Sequence, residues 1–244
     1  KPIGMTLPQA DAILAAAEKS KGKTFFGYNR RYMPVGRLAR ALRAGDPPRF
    51  VHVSKSRPMR YSRMLAENAV HAAELLLCLS LSKPRAVRAA GRFEKREIES
   101  ESFISAVVEF ESGGGGSLQM VTHGSGVVER VEVYGEDYTL LGRYPDEIWY
   151  KGDPERLEGA VRKSGLELAP LEGDGHYRIV AEDRWGIREE MRAFRDWIDD
   201  EEGALAGDVP DVRAAHAAQA LVEAIYNDCG LVNEGRTERW VAET

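Results

Sequence analysis

Glu129-Arg130-Val131-Glu132-Val133-Tyr134 alternates charged and apolar side chains, with Val131 and Val133 set against Arg130 and Glu132. Successive side chains of an extended chain point to opposite faces, so this pattern makes a strand with one face on a core and the other in water. One-sided burial is the habit of antiparallel sheets, since parallel strands are usually covered on both faces. The pattern extends on either side of this stretch. Residues 50–55, 86–93, 103–111, 117–123 and 138–144 also read as strands, with turn residues between them, most plainly the four glycines at 113–116. Short links between consecutive strands favour an antiparallel meander over parallel crossover units.

Helical spacing brackets the strands. Val35, Leu38 and Leu42 follow Pro34, and residues 69–81 are strongly apolar. Ile187, Met191, Phe194 and Ile198 make one face of a helix ending near Asp200. Ala215, Ala218, Val222, Ile225 and Cys229 make another, with Gly230 as its C-cap. At the front, Thr6-Leu7-Pro8-Gln9 fits a capping box, and Ala10, Ile13, Leu14 and Ala17 continue the helix until Lys21-Gly22 closes it. Lys23-Thr24-Phe25-Phe26-Gly27 then reads as a short buried strand, giving the loop–helix–strand unit of a doubly wound sheet. Residues 152–175, polar and rich in Gly and Pro, read as a long loop. The expected class is α+β: a largely antiparallel open sheet with helices on one face.

The chain has 244 residues, 43% hydrophobic and 30% charged, which describes a globular protein with a sizeable core. Its net charge of -5 argues against a nucleic-acid partner, because phosphate binding calls for a basic face. No stretch approaches the ~20 apolar residues that span a bilayer, so no membrane partner is expected. The two cysteines, Cys78 and Cys229, fit buried thiols in a reducing, cytoplasmic compartment rather than a disulfide framework. The chain opens on Lys1-Pro2 rather than Met, so residues are expected upstream.

Three features could carry chemistry. Lys1-Pro2 precedes a helix, and a lysine there can reach the carboxyl edge of an open sheet, although a solvated terminal lysine is the plainer reading. Gly27-Tyr28-Asn29-Arg30-Arg31-Tyr32 follows a strand; Asn and Arg there suit a binding cleft, or equally a domain junction with the arginines pairing acids. Glu67 and His71 are spaced to share a helix face, so Glu67 could orient the imidazole and His71 exchange a proton. The plainer alternative is a partly buried histidine satisfied by a neighbouring acid. His52, His123 and His176 show no metal-ligand spacing, and no metal site is expected.

In this order the motifs resemble the glucose–fructose oxidoreductase/inositol dehydrogenase (Gfo/Idh/MocA) family. Lys1-Pro2 matches the end of its Glu-Lys-Pro motif, residues 27–34 look like its domain junction, and residues 67–71 look like its active-site histidine segment. Residues 185–190 and 220–226 are similar to its closing helices. The resemblance implies that 1–33 are the last helix and strand of a Rossmann domain, and 34–244 an α+β substrate-binding and oligomerisation domain. It implies an NAD- or NADP-dependent oxidoreductase acting on a carbinol carbon of a sugar or polyol, and a homo-oligomer formed through the open sheet face. In that scheme His71 is the base, Lys1 stabilises the alkoxide and Glu67 orients His71. Asn29, Arg30 and Tyr32 contact substrate, and Lys1 and Pro2 border the cofactor. Glu67 and Ala69 depart from the family's usual Asp and Gly, and the link from Arg57 to Glu67 is short. No GxGxxG occurs, so this stretch alone should not bind a dinucleotide. A non-catalytic binding or dimerisation module of the same fold is the other reading.

Overall fold

The alternation that marks residues 129–134 recurs in three dimensions. A computed structural model describes the chain except residues 21, 44–46, 58–67, 95–99, 123–125, 201–204, 206–207 and 230–244. Among the described residues nine strands form one sheet: β1 (Phe50–Ser56), β2 (Pro84–Glu94), β3 (Ser100–Phe110), β4 (Gly115–Val121), β5 (Val128–Tyr134), β6 (Thr139–Arg143), β7 (Glu147–Lys151), β8 (Glu167–Pro170) and β9 (His176–Val180). Their order is β2-β3-β4-β1-β5-β6-β7-β9-β8. Val51 and Val53 of β1, Ile104, Ala106 and Val108 of β3, Leu118 and Met120 of β4, and Val131 and Val133 of β5 fill one face, with Val53 in register with Leu118 and Val131. On the opposite face Phe103 and Val107 are exposed. This is the expected open, one-sided sheet.

Among the described residues six α-helices accompany it: α1 (Leu7–Ser20), α2 (Pro34–Arg43), α3 (Val70–Ser80), α4 (Pro154–Ser164), α5 (Ile187–Asp199) and α6 (Val212–Asp228). The chief packing is α6 on α3, α1 and β2, α2 on α4, and α3 on β1 and β4, with α2 also touching β5 and β6. The capping box forms as read: Gln9 Oε1 accepts from Met5 N at 2.8 Å and Thr6 N at 3.3 Å, while Gln9 N donates to Thr6 Oγ1 at 3.4 Å. Both cysteines are free and half-buried. No helix among the described residues is long and apolar enough to cross a membrane.

Three expectations need correction. Residues 152–175 are not a loop, for they hold α4 and β8. Asp153 caps α4 by accepting from Glu155 N at 3.1 Å, Pro154 occupies its first turn, and Gly165 ends it in the left-handed conformation. Residues 23–27 pair with no strand among the described residues. They are instead fixed from the side, with Phe26 N donating to Pro210 O at 2.8 Å and Trp197 Nε1 to Thr24 O at 3.0 Å. Nor does the largely antiparallel sheet follow a plain meander, because β1 pairs with the non-consecutive β4 and runs parallel to it. The helix α3 and the hairpin strands β2 and β3 return the chain to the same edge. Gly230 and His123 lie outside the described residues.

Candidate active site

A short 3-10 helix, Asn29–Arg31, meets α3 and α2 and reaches β5 through Arg30, and Asn29, Arg30 and His71 converge there. Arg31 and Glu74 form a buried ion pair that ties this turn to α3. The hydroxyl of Tyr144, just after β6, secures it by donating to the Arg30 carbonyl at 3.3 Å. With its main chain held, Arg30 reaches forward. Its Nε donates to Glu129 Oε2 at 3.0 Å and its Nη2 to Oε1 at 2.7 Å, a two-pronged pair of the strong charge-assisted kind. Arg30 Nη1 donates to Asn29 Oδ1 at 2.9 Å and stands 3.5 Å from His71 Nδ1. A guanidinium can only donate, so Nδ1 carries the lone pair in that contact.

His71 lies in the first turn of α3, 6% exposed, with the Tyr28 ring edge-on to it at 5.7 Å. Burial, followed by the charges of Arg30, Lys55 and Lys1, holds its pKa far below the usual imidazole value, so the ring is neutral. Lys55 Nζ, at the inward end of β1, contacts Glu129 Oε1 at 3.2 Å and donates to Asn68 Oδ1 at 3.4 Å. Burial opposes the ionisation of Glu129, but hydrogen bonds and charge from Arg30 and Lys55 prevail and hold its pKa down.

A second convergence lies over Gly27, where Lys1 Nζ and Glu190 Oε1 stand 3.3 and 3.5 Å from the place a Cβ would occupy. Glu190 Oε1 is buried with no hydrogen-bond partner. Burial raises the Glu190 pKa, against the pull of Lys1 and Arg30.

Of the residues expected from sequence, Asn29, Arg30 and His71 thus come together, with Lys1 near enough to bias His71. Asn29 also donates from Nδ2 to Trp185 O at 3.1 Å, fixing the loop before α5. Pro2 is half-buried. Tyr32 is buried, its ring stacked on Phe25 at 6.3 Å. Glu67 lies outside the described residues. Sequence reading missed Lys55, Glu129 and Glu190. Lys55 did leave a signal, for it continues the inward positions Val51 and Val53, where a lysine has no ordinary structural use. Among the described residues no group of His, Cys, Asp and Glu could hold a metal ion.

This geometry presents a neutral imidazole lone pair beside a guanidinium, in a cleft lined by Lys55, Glu129 and Tyr144. A hydroxyl that displaced this Arg30–His71 contact could accept from the guanidinium and donate to the imidazole.

No protein-family model matches this sequence, and no curated protein matches it significantly. Solved structures do match in backbone. A UDP-N-acetylglucosamine 3-dehydrogenase, GnnA, from Acidithiobacillus ferrooxidans aligns with a TM-score of 0.67 at 16% identity, covering 93% of this chain and 69% of that one. An oxidoreductase from Sinorhizobium meliloti gives 0.74 at 16% identity, over 94% and 69%. A levoglucosan dehydrogenase solved with NADH and levoglucosan gives 0.71 at 15% identity, over 94% and 70%. At these identities the likeness is one of fold, and the fold is the one that the resemblance to Gfo/Idh/MocA oxidoreductases implies.

Proposed function

We propose that this chain is the substrate-binding part of a Gfo/Idh/MocA-type oxidoreductase that moves a hydride between NAD or NADP and a carbinol carbon of a sugar or polyol. The observation that carries this reading is the neutral, nearly buried His71 set against Arg30 in a cleft of that fold. NADH and levoglucosan in the levoglucosan dehydrogenase structure support the cofactor and substrate classes.

Oxidation of a carbinol needs the hydroxyl proton removed as the C–H bond releases its hydride. His71 Nδ1 takes the proton, while the Arg30 guanidinium and Lys1 stabilise negative charge on the oxygen. A bound nicotinamide supplies the hydride acceptor. Lys1 and Pro2 would border it, but this chain has no glycine-rich turn for the pyrophosphate, so other residues must hold the dinucleotide. A surface suited to that partner exists. Ile187, Met191, Phe194 and Ile198 of α5 are exposed, and Phe194 packs edge-on to Phe25, at 5.3 Å, in the unpaired segment 23–27. A preceding nucleotide-binding part of the same polypeptide would cover this stripe. The uncovered sheet face around Phe103 and Val107 would meet a second copy.

In the intact protein His71→Ala should lower turnover by about 100-fold or more and change the Kd for NAD(H) by no more than about threefold. Unchanged turnover would remove His71 from the mechanism. Failure of the intact protein to bind NAD(H) by calorimetry would leave the non-catalytic module as the reading.

A further inference from the structure

Glu190 is a carboxylate in a place that calls for an apolar side chain. With Trp197 it makes the buried face of α5, and only 6% of it is exposed. Its Oε1 is buried and has no hydrogen-bond partner among the described residues. Burying a carboxylate with an idle oxygen costs stability, and a hydrophobic residue of like size would fill the same space without that cost. Packing therefore gives no reason for a glutamate here, but the surrounding charges do. Burial pushes its pKa up, and against this Lys1 pulls hardest, followed by Arg30. The same two cations act at His71, where, after burial, they are among the charges that oppose protonation. Lys1 and Arg30 thus converge on one end of the site, and like charges repel there unless each has an anion. Arg30 is matched by both oxygens of Glu129, at 3.0 and 2.7 Å. For Lys1 the nearby carboxylate is Glu190, and Gly27 makes room for the two. A Cβ on Gly27 would stand 3.3 Å from Lys1 Nζ and 3.5 Å from Glu190 Oε1, so a larger side chain would come between them.

We propose that Glu190 is a positioning residue of the reaction centre, the counter-ion that keeps the Lys1 ammonium charged and in place over Gly27. The pairing stands on the geometry at Gly27; what Lys1 does there rests on the redox reading above. In that reaction the substrate oxygen gains negative charge as His71 takes its proton, and a donor fixed beforehand stabilises that charge best. Glu190 acts without touching substrate. It offsets the repulsion between Lys1 and Arg30, and an ammonium has donors enough to face both a carboxylate and an alkoxide.

The test is acylation of lysines in the intact protein by trace acetic anhydride at about pH 8, read residue by residue by mass spectrometry. A neighbouring carboxylate favours the charged, unreactive form of an amine. Lys1 should therefore label about threefold or more faster in Glu190→Gln and Glu190→Met than in wild type, with Glu190→Asp in between. Lys23 is the control for a merely structural role. It holds the far end of α5 by donating to the carbonyls of Trp197 and Asp200, both at 2.6 Å, so a loosened helix would release Lys23 as well. Its labelling should not change. Glu190→Met should also keep or raise the urea midpoint, since it removes a buried charge. Should the Glu190 variants fail to fold, Gly27→Val sets a branched side chain between the two groups and should speed Lys1 labelling while both remain. Lys1 labelling indifferent to Glu190→Gln, or to Gly27→Val in its stead, would overturn the inference, as would a rise shared equally by Lys23. Titrating NAD(H) into the same samples separates the two readings. Labelling that depends on Glu190 in a protein that binds no NAD(H) sinks the redox reading alone, and NAD(H) binding with indifferent labelling sinks this one alone.

Discussion

Lys55 shows how far one side chain can depart from its solution behaviour. Burial lowers its pKa to about 8, helped by the Arg30 charge and resisted by Glu129. An unfolded lysine holds its proton up to about 10.4. The unfolded chain therefore binds the extra proton between these values, and stability should climb as pH rises from about 8 toward 10. The gain is on the order of 3 kcal/mol if the folded value holds. Urea unfolding of wild type and Lys55→Met across that range checks it, since the variant should lose the climb. At this scale the sequence was half legible. Asn29, Arg30 and His71 lie in short motifs whose residue types announce polar chemistry. Lys55 and Glu129 belong to strands that look ordinary until register brings their side chains together, and register is not local information.

Among the elements, α2 matters most to the cleft. A Cβ on Gly36 would overlap the Arg30 carbonyl oxygen and crowd the Tyr144 hydroxyl, so glycine lets α2 approach the turn that aims Arg30. Gly36→Ala should destabilise the fold by about 1–3 kcal/mol and weaken substrate more than cofactor. Gly159→Ala is the contrast, for it sits inside α4 with open space where a Cβ would go, and should gain about 0.5–1 kcal/mol. Both are measured by denaturant midpoint. Helices with long apolar stripes, α3, α5 and α6, were readable because period and length agreed. The region holding α4 and β8 was misread because Gly152, Pro154, Gly165 and Gly173 dominate its composition. Asp153, Pro154 and Gly165 were in fact start and stop signals of a short helix, punctuation rather than absence of structure.

For the molecule as a whole, one-sided alternation predicted the sheet class, but the strand order could not follow from it. The parallel pairing of β1 with β4 depends on α3 and a hairpin returning to the same edge. That arrangement leaves β1 paired on both sides in the interior of the sheet, whereas β8 is a four-residue edge strand. Amides of Val51 and Val53 should exchange with solvent only through global unfolding, and those of β8 through local opening, as exchange followed by mass spectrometry would show. The same central strand sets a timetable. Lys55 is made long before Glu129, and the two meet only when β5 closes on β1. During synthesis, until residues 128–134 have emerged, the nascent chain must keep that ammonium in water. The strand that carries the core valines Val51 and Val53 therefore cannot be fully buried until β5 has been made, and the cleft waits on a strand more than seventy residues further along the chain.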